Sequence, residues 1–231
     1  MHIKHVKTRE PQYQPLLDIK DQAGQARLGL MVNQVWYDDP KRLLFVLSRY
    51  KFVAKMLSGK KRVLEIGCGD AFGTRIVAQE VGHVCAVDFD PIFIEDIKER
   101  MIVKFVFECR EHDILSGPVH GIFDAAYSID VIEHILKKDE DTYMRHVIDS
   151  LGPQGVFIVG TPTIQSQIYA SSGSKEGHVN CKDHQELKEL MGRYFENVFI
   201  FSMNDELVHT GFYPMAHYLF AIGAGKKAGS P

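Results

Sequence analysis

Short apolar runs alternate with longer amphipathic stretches along most of the chain. The apolar runs predict buried strands at residues 62–66, 84–88, 103–108, 123–128, 155–160, 196–203 and 215–222. The amphipathic stretches predict helices at residues 73–81, 91–100, 139–151 and 183–194. Alternating strands and helices are typical of a parallel sheet with helices on both faces.

The region before the first strand follows a different pattern. Residues 1 to about 25 are polar and predict an arm with at most a short helix, and residues 25–37 are weakly helical. Asp39 followed by Pro40 predicts the start of a helix that continues to about Ser58. We expect residues 1–58 to form an N-terminal arm and helices that cover the functional site, and residues 59–231 to form the main domain of the same structural unit.

The last two predicted strands are connected by only about a dozen residues without a helical pattern. Because this connection is too short for a helical crossover, we expect these strands to pair antiparallel. The predicted fold is therefore α/β and Rossmann-like, with seven strands, mostly parallel, and an antiparallel last strand. Residues 171–177 (SSGSKEG) predict a flexible loop, either a lid over the substrate or a plain surface loop.

The composition narrows the kinds of partner. The chain has 231 residues, 45% of them hydrophobic, and a net charge of −3, which gives no electrostatic reason to expect nucleic acid or an anionic membrane. We expect a small-molecule partner. The start lacks the apolar core of a signal peptide and no apolar run is long enough to span a bilayer, so a cytoplasmic protein is expected. A homo-oligomer is compatible with the sequence.

A glycine-rich turn between the first two strands predicts a nucleoside cofactor. Gly67 and Gly69 follow the strand at 62–66, and Asp88 ends the next strand, where a carboxylate can hold both ribose hydroxyls. Glu65 lies inside the first strand, where it would repel a phosphate but attract a cation. No Lys-Ser or Lys-Thr follows these glycines, as a phosphate-binding loop would require.

A nicotinamide-dependent dehydrogenase is the first alternative, because it uses a similar glycine turn. Its short-chain form requires a Tyr-x-x-x-Lys helix late in the fold. The spacing occurs here only at Tyr37 and Lys41, before the glycine turn and across Pro40, so it cannot serve that role.

Several motifs together resemble those of class I S-adenosylmethionine-dependent methyltransferases. They are E-x-G-x-G-x-x-x-G at 65–73, Asp88, FDAAYSIDVIEHI at 123–135 and GPQGVFIVGTP at 152–162. The resemblance covers residues 60 to 223 and is closest to the ubiquinone-biosynthesis type of O-methyltransferase. It implies S-adenosylmethionine as cofactor and a seven-stranded sheet with a reversed last strand.

The resemblance also implies roles for individual cofactor-binding residues. Gly67 and Gly69 would let the backbone approach the methionyl part, with Glu65 beneath it near the ammonium or sulfonium charge. The other implied contacts are Asp88 with the ribose, Phe89 with the adenine face, Asp113 with the adenine amino group, and Tyr127 and Ser128 with the sulfonium. Asp113 could instead cap a turn, and Phe89 could be a packing residue.

A second polar group, Asp130, Glu133 and His134, follows the strand at 123–128. It resembles the E-V-L-E-H stretch of the same O-methyltransferases, with Asp130 in place of Glu. If the segment is helical, these residues share one face, a spacing able to hold a divalent ion or to orient a base. Three alternatives stay open: catalysis by His134 as a base, metal binding, and bonds to the nearby backbone that shape the loop.

Two further residues are candidates for the acceptor site. His178 resembles a histidine found after the fifth strand in these methyltransferases, although it could equally be a surface histidine. Trp36, the only tryptophan, would cover substrate or cofactor, or anchor the N-terminal helix in the core. A hydroxyl acceptor needs a base, so the polar group favours O-methylation over N-methylation. A non-catalytic cofactor-binding module of the same fold is the remaining alternative.

Overall fold

One mixed sheet forms the centre of the protein. The structure, a computed structural model, describes residues 6–101 and 104–227. The sheet has eight strands in the order β3-β2-β1-β4-β5-β8-β6-β7. The strands are β1 Arg62–Ile66, β2 His83–Asp88, β3 Glu108–Glu111, β4 Phe123–Ile129, β5 Leu151–Pro162, β6 Phe195–Asn204, β7 Leu207–His209 and β8 Tyr218–Lys226.

Helices pack on both faces of this sheet. The α-helices of the described residues are α1 Gln14–Ala23, α2 Leu30–Asp38, α3 Arg42–Met56, α4 Thr74–Ala78, α5 Pro91–Arg100, α6 Glu140–Ser150, α7 Ser172–Gly177 and α8 His184–Tyr194. The apolar sides of α6 and α8 form one core with the sheet, and those of α3, α4 and α5 form the other. Successive side chains of a strand point to opposite faces, so both cores draw on the same strands.

The strand pairing confirms the predicted α/β fold. Strands β1 to β5 pair in parallel, whereas β8 pairs antiparallel with both β5 and β6. The eighth strand, β7, was not predicted. It is three residues long and pairs with the end of β6 across a tight turn at Asp205, whose φ is 50°.

Two strand positions predicted from the sequence are wrong. The strand predicted at 103–108 lies at Glu108–Glu111, where it pairs with Cys85 to Asp88 of β2; Val103 itself lies outside the described residues. The strand predicted at 215–222 begins at Tyr218 and ends at Lys226. In both places the register with a neighbouring strand decides which apolar residues pair, and a single segment does not contain that information.

The N-terminal region also differs in detail from the prediction. Helix α3 begins at Arg42, and its N-terminus has no side-chain cap, so Asp39 does not have the predicted capping role. The loop predicted at 171–177 is the short helix α7, capped by Ser171 on the Ser174 amide. Among the described residues, no helix is long and apolar enough to cross a membrane.

Candidate functional site

The turn between β1 and α4 has a backbone that favours glycine. Gly67 has φ of 68° and Gly69 has φ of 51°, in the left-handed region that side chains other than glycine disfavour. A Cβ at Gly67 would collide with Val131, and a Cβ at Gly69 would collide with the sulfur of Met31. Both glycines therefore keep the turn open to close contact from neighbouring groups.

Asp88 joins this turn to the end of β2. Its carboxylate is buried, and it accepts hydrogen bonds from the Gly69 amide at 2.8 Å and the Asp90 amide at 3.0 Å. These two amides fix the carboxylate at the carboxyl end of β2. The crevice outside the carboxyl ends of parallel strands is where α/β folds bind nucleoside cofactors.

Glu65 points into the core on the side of α3 and α4. Its carboxylate accepts hydrogen bonds from the Tyr50 hydroxyl at 3.0 Å and the Thr74 hydroxyl at 2.5 Å. Burial raises the pKa of Glu65 to about 7, although the bonds to its carboxylate oppose the rise. A nearby cationic group would stabilise the charged form of a buried carboxylate of this kind. The position of Glu65 beneath the cofactor stays a prediction.

The other predicted cofactor residues lie in different environments. Phe89 is 71% exposed, so it is not a packing residue of the free protein. Asp113 caps a turn by accepting from the Leu115 amide at 2.8 Å. The Ser128 hydroxyl is buried and accepts from Tyr143 at 2.8 Å, so any contact between Ser128 and a sulfonium would use its backbone.

The helical face predicted for residues 130–134 is not formed. Only Ile132–His134 make a 3₁₀ turn, and Asp130 precedes it with φ of 57°. The Asp130 carboxylate instead pairs with Arg49 of α3 at 2.5 Å. Because of the left-handed backbone at Asp130 and the short 3₁₀ turn, these three residues do not share one face of a helix, so the predicted helical arrangement is wrong. Their catalytic or metal-binding role stays a prediction.

Glu133 is fully buried beside the ends of β4 and β5. One carboxylate oxygen accepts from the Thr161 hydroxyl at 3.1 Å, and the other has no hydrogen-bond partner in residues 6–101 and 104–227. Burial raises the pKa of Glu133, and the negative charge of Asp130 raises it further. A buried carboxylate oxygen without a partner favours a ligand that can supply positive charge or a proton.

His134 and His178 come together beside Glu133. Their ring centroids are 5.1 Å apart, and one possible ligand atom of each of the three residues lies within 4.8 Å of the other two. His134 Nδ1 contacts the Gly177 carbonyl oxygen at 2.9 Å, and His178 Nδ1 contacts the Gln167 side-chain oxygen at 2.8 Å. Because both partners are hydrogen-bond acceptors, they favour the tautomer with the proton on Nδ1, and in the neutral ring this leaves Nε2 with a lone pair.

This group has the properties of a divalent-cation site and of a general-base site. Histidine ligands commonly donate their second ring N–H to a carbonyl or carboxylate, as both rings do here. Two imidazoles and a carboxylate suit a mixed-ligand metal such as a first-row divalent ion. The unpartnered oxygen of Glu133 fits the same ion, and the structure brings His178, rather than Asp130, together with Glu133 and His134.

A buried ion pair fixes the segment that carries His178. The Lys182 ammonium contacts the Glu140 carboxylate, and Asn180 donates to the same oxygen at 3.0 Å. The amides of Val179 and Asn180 donate to the Glu133 carbonyl oxygen at 2.8 and 3.0 Å. These contacts hold the segment against the turn that carries Glu133 and His134.

Sequence reasoning missed Arg49, Lys182 and Tyr218. Arg49 adjoins the apolar stripe of α3, whereas Lys182 and Tyr218 lie in segments with no motif. Each reaches the site only through the packing of distant segments, so no local pattern identifies them. Trp36 lies on α2 and is 53% exposed, so it does not anchor the N-terminal helix in the core, and its predicted contact with substrate or cofactor stays a prediction.

A comparison with protein families matches residues 37–198 to a family described as a methyltransferase domain. The chain is 27% identical over 114 residues to a probable S-adenosylmethionine-dependent methyltransferase of Mycolicibacterium smegmatis, and the aligned region covers 49% of this chain and 42% of that protein. It is 24% identical over 142 residues to the ubiquinone biosynthesis O-methyltransferase of Xanthomonas axonopodis pv. citri, which covers 58% of this chain and 59% of that one. The alignments therefore span about half the length of these curated relatives.

Solved structures share the fold. The methyltransferase domain of the bacterial protein CtHen1-C superposes with a TM-score of 0.65 at 15% identity, covering 78% of this chain and 98% of that domain. At this identity the similarity concerns the fold. The family match covers most of the sheet and all the residues from the glycine turn to His178.

Proposed function

The chain belongs to the methyltransferase domain family of class I S-adenosylmethionine-dependent methyltransferases, and we propose that it methylates a hydroxyl oxygen of a small molecule. The cofactor is S-adenosylmethionine. The glycine turn and Asp88 fit its binding, because the left-handed backbone at Gly67 and Gly69 faces the carboxyl ends of β1 and β2.

The arrangement of Glu133, His134 and His178 supports oxygen as the methylated atom. Methyl transfer from a sulfonium is an in-line displacement whose leaving group becomes neutral, so no acid is needed. A hydroxyl acceptor must lose a proton, whereas a neutral amine can attack directly. Two imidazoles with free Nε2 atoms, at the strand ends where α/β folds bind their ligands, meet the need of a hydroxyl.

We further propose that Glu133, His134 and His178 hold a divalent cation. When bound, such an ion lowers the pKa of a coordinated hydroxyl and so favours the reactive anion. The residues of the chain position the acceptor. Holding two reactants in near-attack geometry can contribute on the order of 7–11 kcal/mol to catalysis.

The proposal of a small-molecule acceptor rests on charge and on the N-terminal helices. The net charge of −3 gives no general attraction to a phosphate backbone. Helix α2 lies over the glycine turn, since Asp70 accepts from the Val32 amide at 2.8 Å. A covering helix of this kind suits an enclosed acceptor, and the half-exposed Trp36 on α2 is a candidate contact for it.

The experiment measures methyl transfer from labelled S-adenosylmethionine to catechol, benzylamine or a short single-stranded RNA. The protein is first stripped with EDTA and then assayed with or without Mg²⁺ or Mn²⁺, and bound Mn²⁺ is counted by electron paramagnetic resonance. We expect label in catechol, dependence on the added ion, and about one bound Mn²⁺ per chain.

Substitution then separates the ligand set from the fold. His134→Ala and His178→Ala should abolish Mn²⁺ binding and most transfer while calorimetry shows unchanged S-adenosylmethionine affinity. His209→Ala, which removes a histidine bonded to Asn204 near the β6–β7 turn, is the matched control and should behave as the native protein. Label only in the amine, or cofactor binding with no transfer, would contradict O-methylation, and label only in the RNA would contradict a small-molecule acceptor. Full activity in EDTA would leave His134 as a base and overturn the cation.

A further inference from the structure

Helix α3 inserts an arginine beside the proposed acceptor position. The guanidinium of Arg49 lies 3.8 Å above the centre of the Tyr218 ring, and its Nη1 pairs with Asp130 at 2.5 Å. The Arg49 side chain is 19% exposed. Arg49 therefore connects α3, the segment after β4 and the first residue of β8.

These residues share one edge of the sheet with Glu133. Asp130 directly follows β4, and Tyr218 begins β8, whose antiparallel direction places that residue opposite Pro162 at the end of β5. The charges of Asp130 and Glu133 act electrostatically on the Arg49 guanidinium. Those of Asp130, Arg49 and Glu133 act on the Tyr218 hydroxyl. The cluster formed by Arg49, Asp130, Glu133 and Tyr218 thus adjoins the proposed reaction site.

Two donors in this cluster lack an acceptor. The Tyr218 hydroxyl and the Arg49 Nε are buried and have no hydrogen-bond partner of acceptable geometry in the described part of the chain. Tyr218 itself is 2% exposed. A buried polar group left without a partner destabilises the folded protein, so such groups normally meet a ligand or a neighbouring group.

The fold keeps room for the Tyr218 hydroxyl. A Cβ on Gly160 of β5 would come within 2.6 Å of that hydroxyl oxygen, so any larger residue at this position would displace it. The tyrosine hydroxyl is thus held in a fixed place beside the Asp130 carboxylate, which acts on it electrostatically but does not accept a hydrogen bond of normal geometry from it. Leucine or phenylalanine would fill the same apolar volume without leaving a polar atom unsatisfied.

We infer that Arg49 and Tyr218 bind an anionic oxygen group, such as a carboxylate, on the acceptor. An N–H of guanidinium can only donate, and a phenol readily donates, so the complementary group is an oxygen acceptor. Hydrogen bonds from arginine to carboxylate are among the stronger ones in proteins. The inference rests on the proposed function, and it specifies an acceptor that carries a negative charge away from its reacting hydroxyl.

A matched ligand series tests the charge of the acceptor directly. The probes are 3,4-dihydroxybenzoate, 3,4-dihydroxybenzyl alcohol and 3,4-dihydroxybenzylamine, which share the reacting ring and differ in one substituent. Their affinities for the native protein are measured by calorimetry in the presence of S-adenosylhomocysteine and Mg²⁺. We expect the carboxylate to bind about tenfold or more tightly than the alcohol, and the amine to bind most weakly.

The Tyr218→Phe variant is the decisive substitution, because it removes only the hydroxyl. We expect it to lose most of the preference for the carboxylate, with a melting temperature that is unchanged or higher and with unchanged S-adenosylmethionine affinity. Arg49→Lys should show the same loss of preference. Tyr213→Phe, at a tyrosine stacked on His184, is the matched control and should keep the native preference.

The readout is independent of the methyl-transfer assay. Equal affinity for the three probes, no binding of any of them, or a preference that survives in Tyr218→Phe would overturn the inference. Because the measurement is of binding, a preference for the carboxylate would stand even if transfer went to nitrogen. Conversely, O-methylation without such a preference would leave the proposed function intact and this inference wrong.

Discussion

Glu65 is a carboxylate in the middle of a buried strand. Val63, Leu64 and Ile66 of the same strand are buried and apolar, and Glu65 itself is 1% exposed. Two hydroxyls donate hydrogen bonds to its oxygens, and no basic side chain of the described residues forms an ion pair with it. The protein therefore keeps a carboxyl group whose charge is costly until a cation approaches.

This burial predicts a pH-dependent stability. The pKa of Glu65 is raised to about 7 in the folded protein, against about 4.3 in an unfolded chain, so the folded state binds more protons between those values. Unfolding free energy from Glu65 should fall as pH rises through this range and level off above pH 7. We expect the unfolding free energy of Glu65→Gln, measured with urea, to rise relative to that of the native protein by on the order of 2–3 kcal/mol between pH 5 and pH 8.

The comparison uses the difference between variants, so the other titrating groups cancel. Glu206→Gln, at an exposed carboxyl in the turn before β7, is the control and should track the native protein at every pH. A constant difference between Glu65→Gln and the native protein from pH 5 to pH 8 would show that Glu65 is already ionised at pH 5.

At the scale of elements, one ion pair connects helix α6 to the segment between α7 and α8. Glu140 is the first residue of α6, and its carboxylate contacts Lys182, Asn180 and Lys137. Lys182 is 1% exposed, and its backbone forms a parallel bridge with Thr163 after β5. Three otherwise separate pieces of chain meet at this pair, next to His178.

Removing one member of the pair should be more harmful than removing both. Breaking a buried ion pair by deleting one partner typically costs about 3–5 kcal/mol, because the remaining charge stays buried. We expect Lys182→Met to lose stability on this scale in urea unfolding, and Lys182→Met with Glu140→Leu to recover much of it. Both variants should weaken Mn²⁺ binding, since the segment carrying His178 loses its anchor.

The double-mutant cycle distinguishes the pair from simple packing. Arg193→Met, which removes a partly exposed cation 3.8 Å from the Glu140 carboxylate, is the control and should cost much less. If the double variant is less stable than Lys182→Met by the full effect of Glu140→Leu, the two residues act independently and the anchoring role is wrong.

At the scale of the whole molecule, we predict that the cofactor links separate parts of the sheet. Its predicted contacts lie on the turn after β1, at the end of β2 and after β3, and helix α2 covers the first of these turns. A ligand that binds only the folded state stabilises it by about 2.7 kcal/mol at 100 times its dissociation constant. The cofactor should therefore stabilise the complete domain.

Thermal unfolding tests this prediction. For a chain of this size we expect S-adenosylmethionine at that concentration to raise the melting temperature by about 5 to 10 °C. Asp88→Ala should lose most of the increase, because a hydrogen bond to a charged group contributes about 1.5–3 kcal/mol. Calorimetry should show the matching loss of affinity.

The neighbouring carboxylate provides the control. Asp90 caps α5 by accepting from the Ile92 amide at 2.9 Å, so Asp90→Ala should lower the melting temperature of the free protein. It should nevertheless keep the increase caused by the cofactor. An unchanged increase in Asp88→Ala would remove the ribose role from that residue.

Much of the fold follows from local patterns. The period of apolar residues located most strands and helices, and a short connection without helical pattern indicated the antiparallel end. The glycine turn, Glu65 and Asp88 identified the cofactor class, because these motifs lie within one continuous stretch of chain. The three-residue β7 and the position of β3 were missed, since pairing with a neighbouring strand defines them.

The sequence by itself determined the sheet, the cofactor and the polar character of residues 130–134. Only the tertiary structure decided which polar groups act together: Asp130 with Arg49, and Glu133 with His134 and His178. The physical reason is that a strand or helix arises from contacts a few residues apart. A site instead brings together side chains 40 or more residues apart, and their partners depend on backbone turns such as the left-handed one at Asp130.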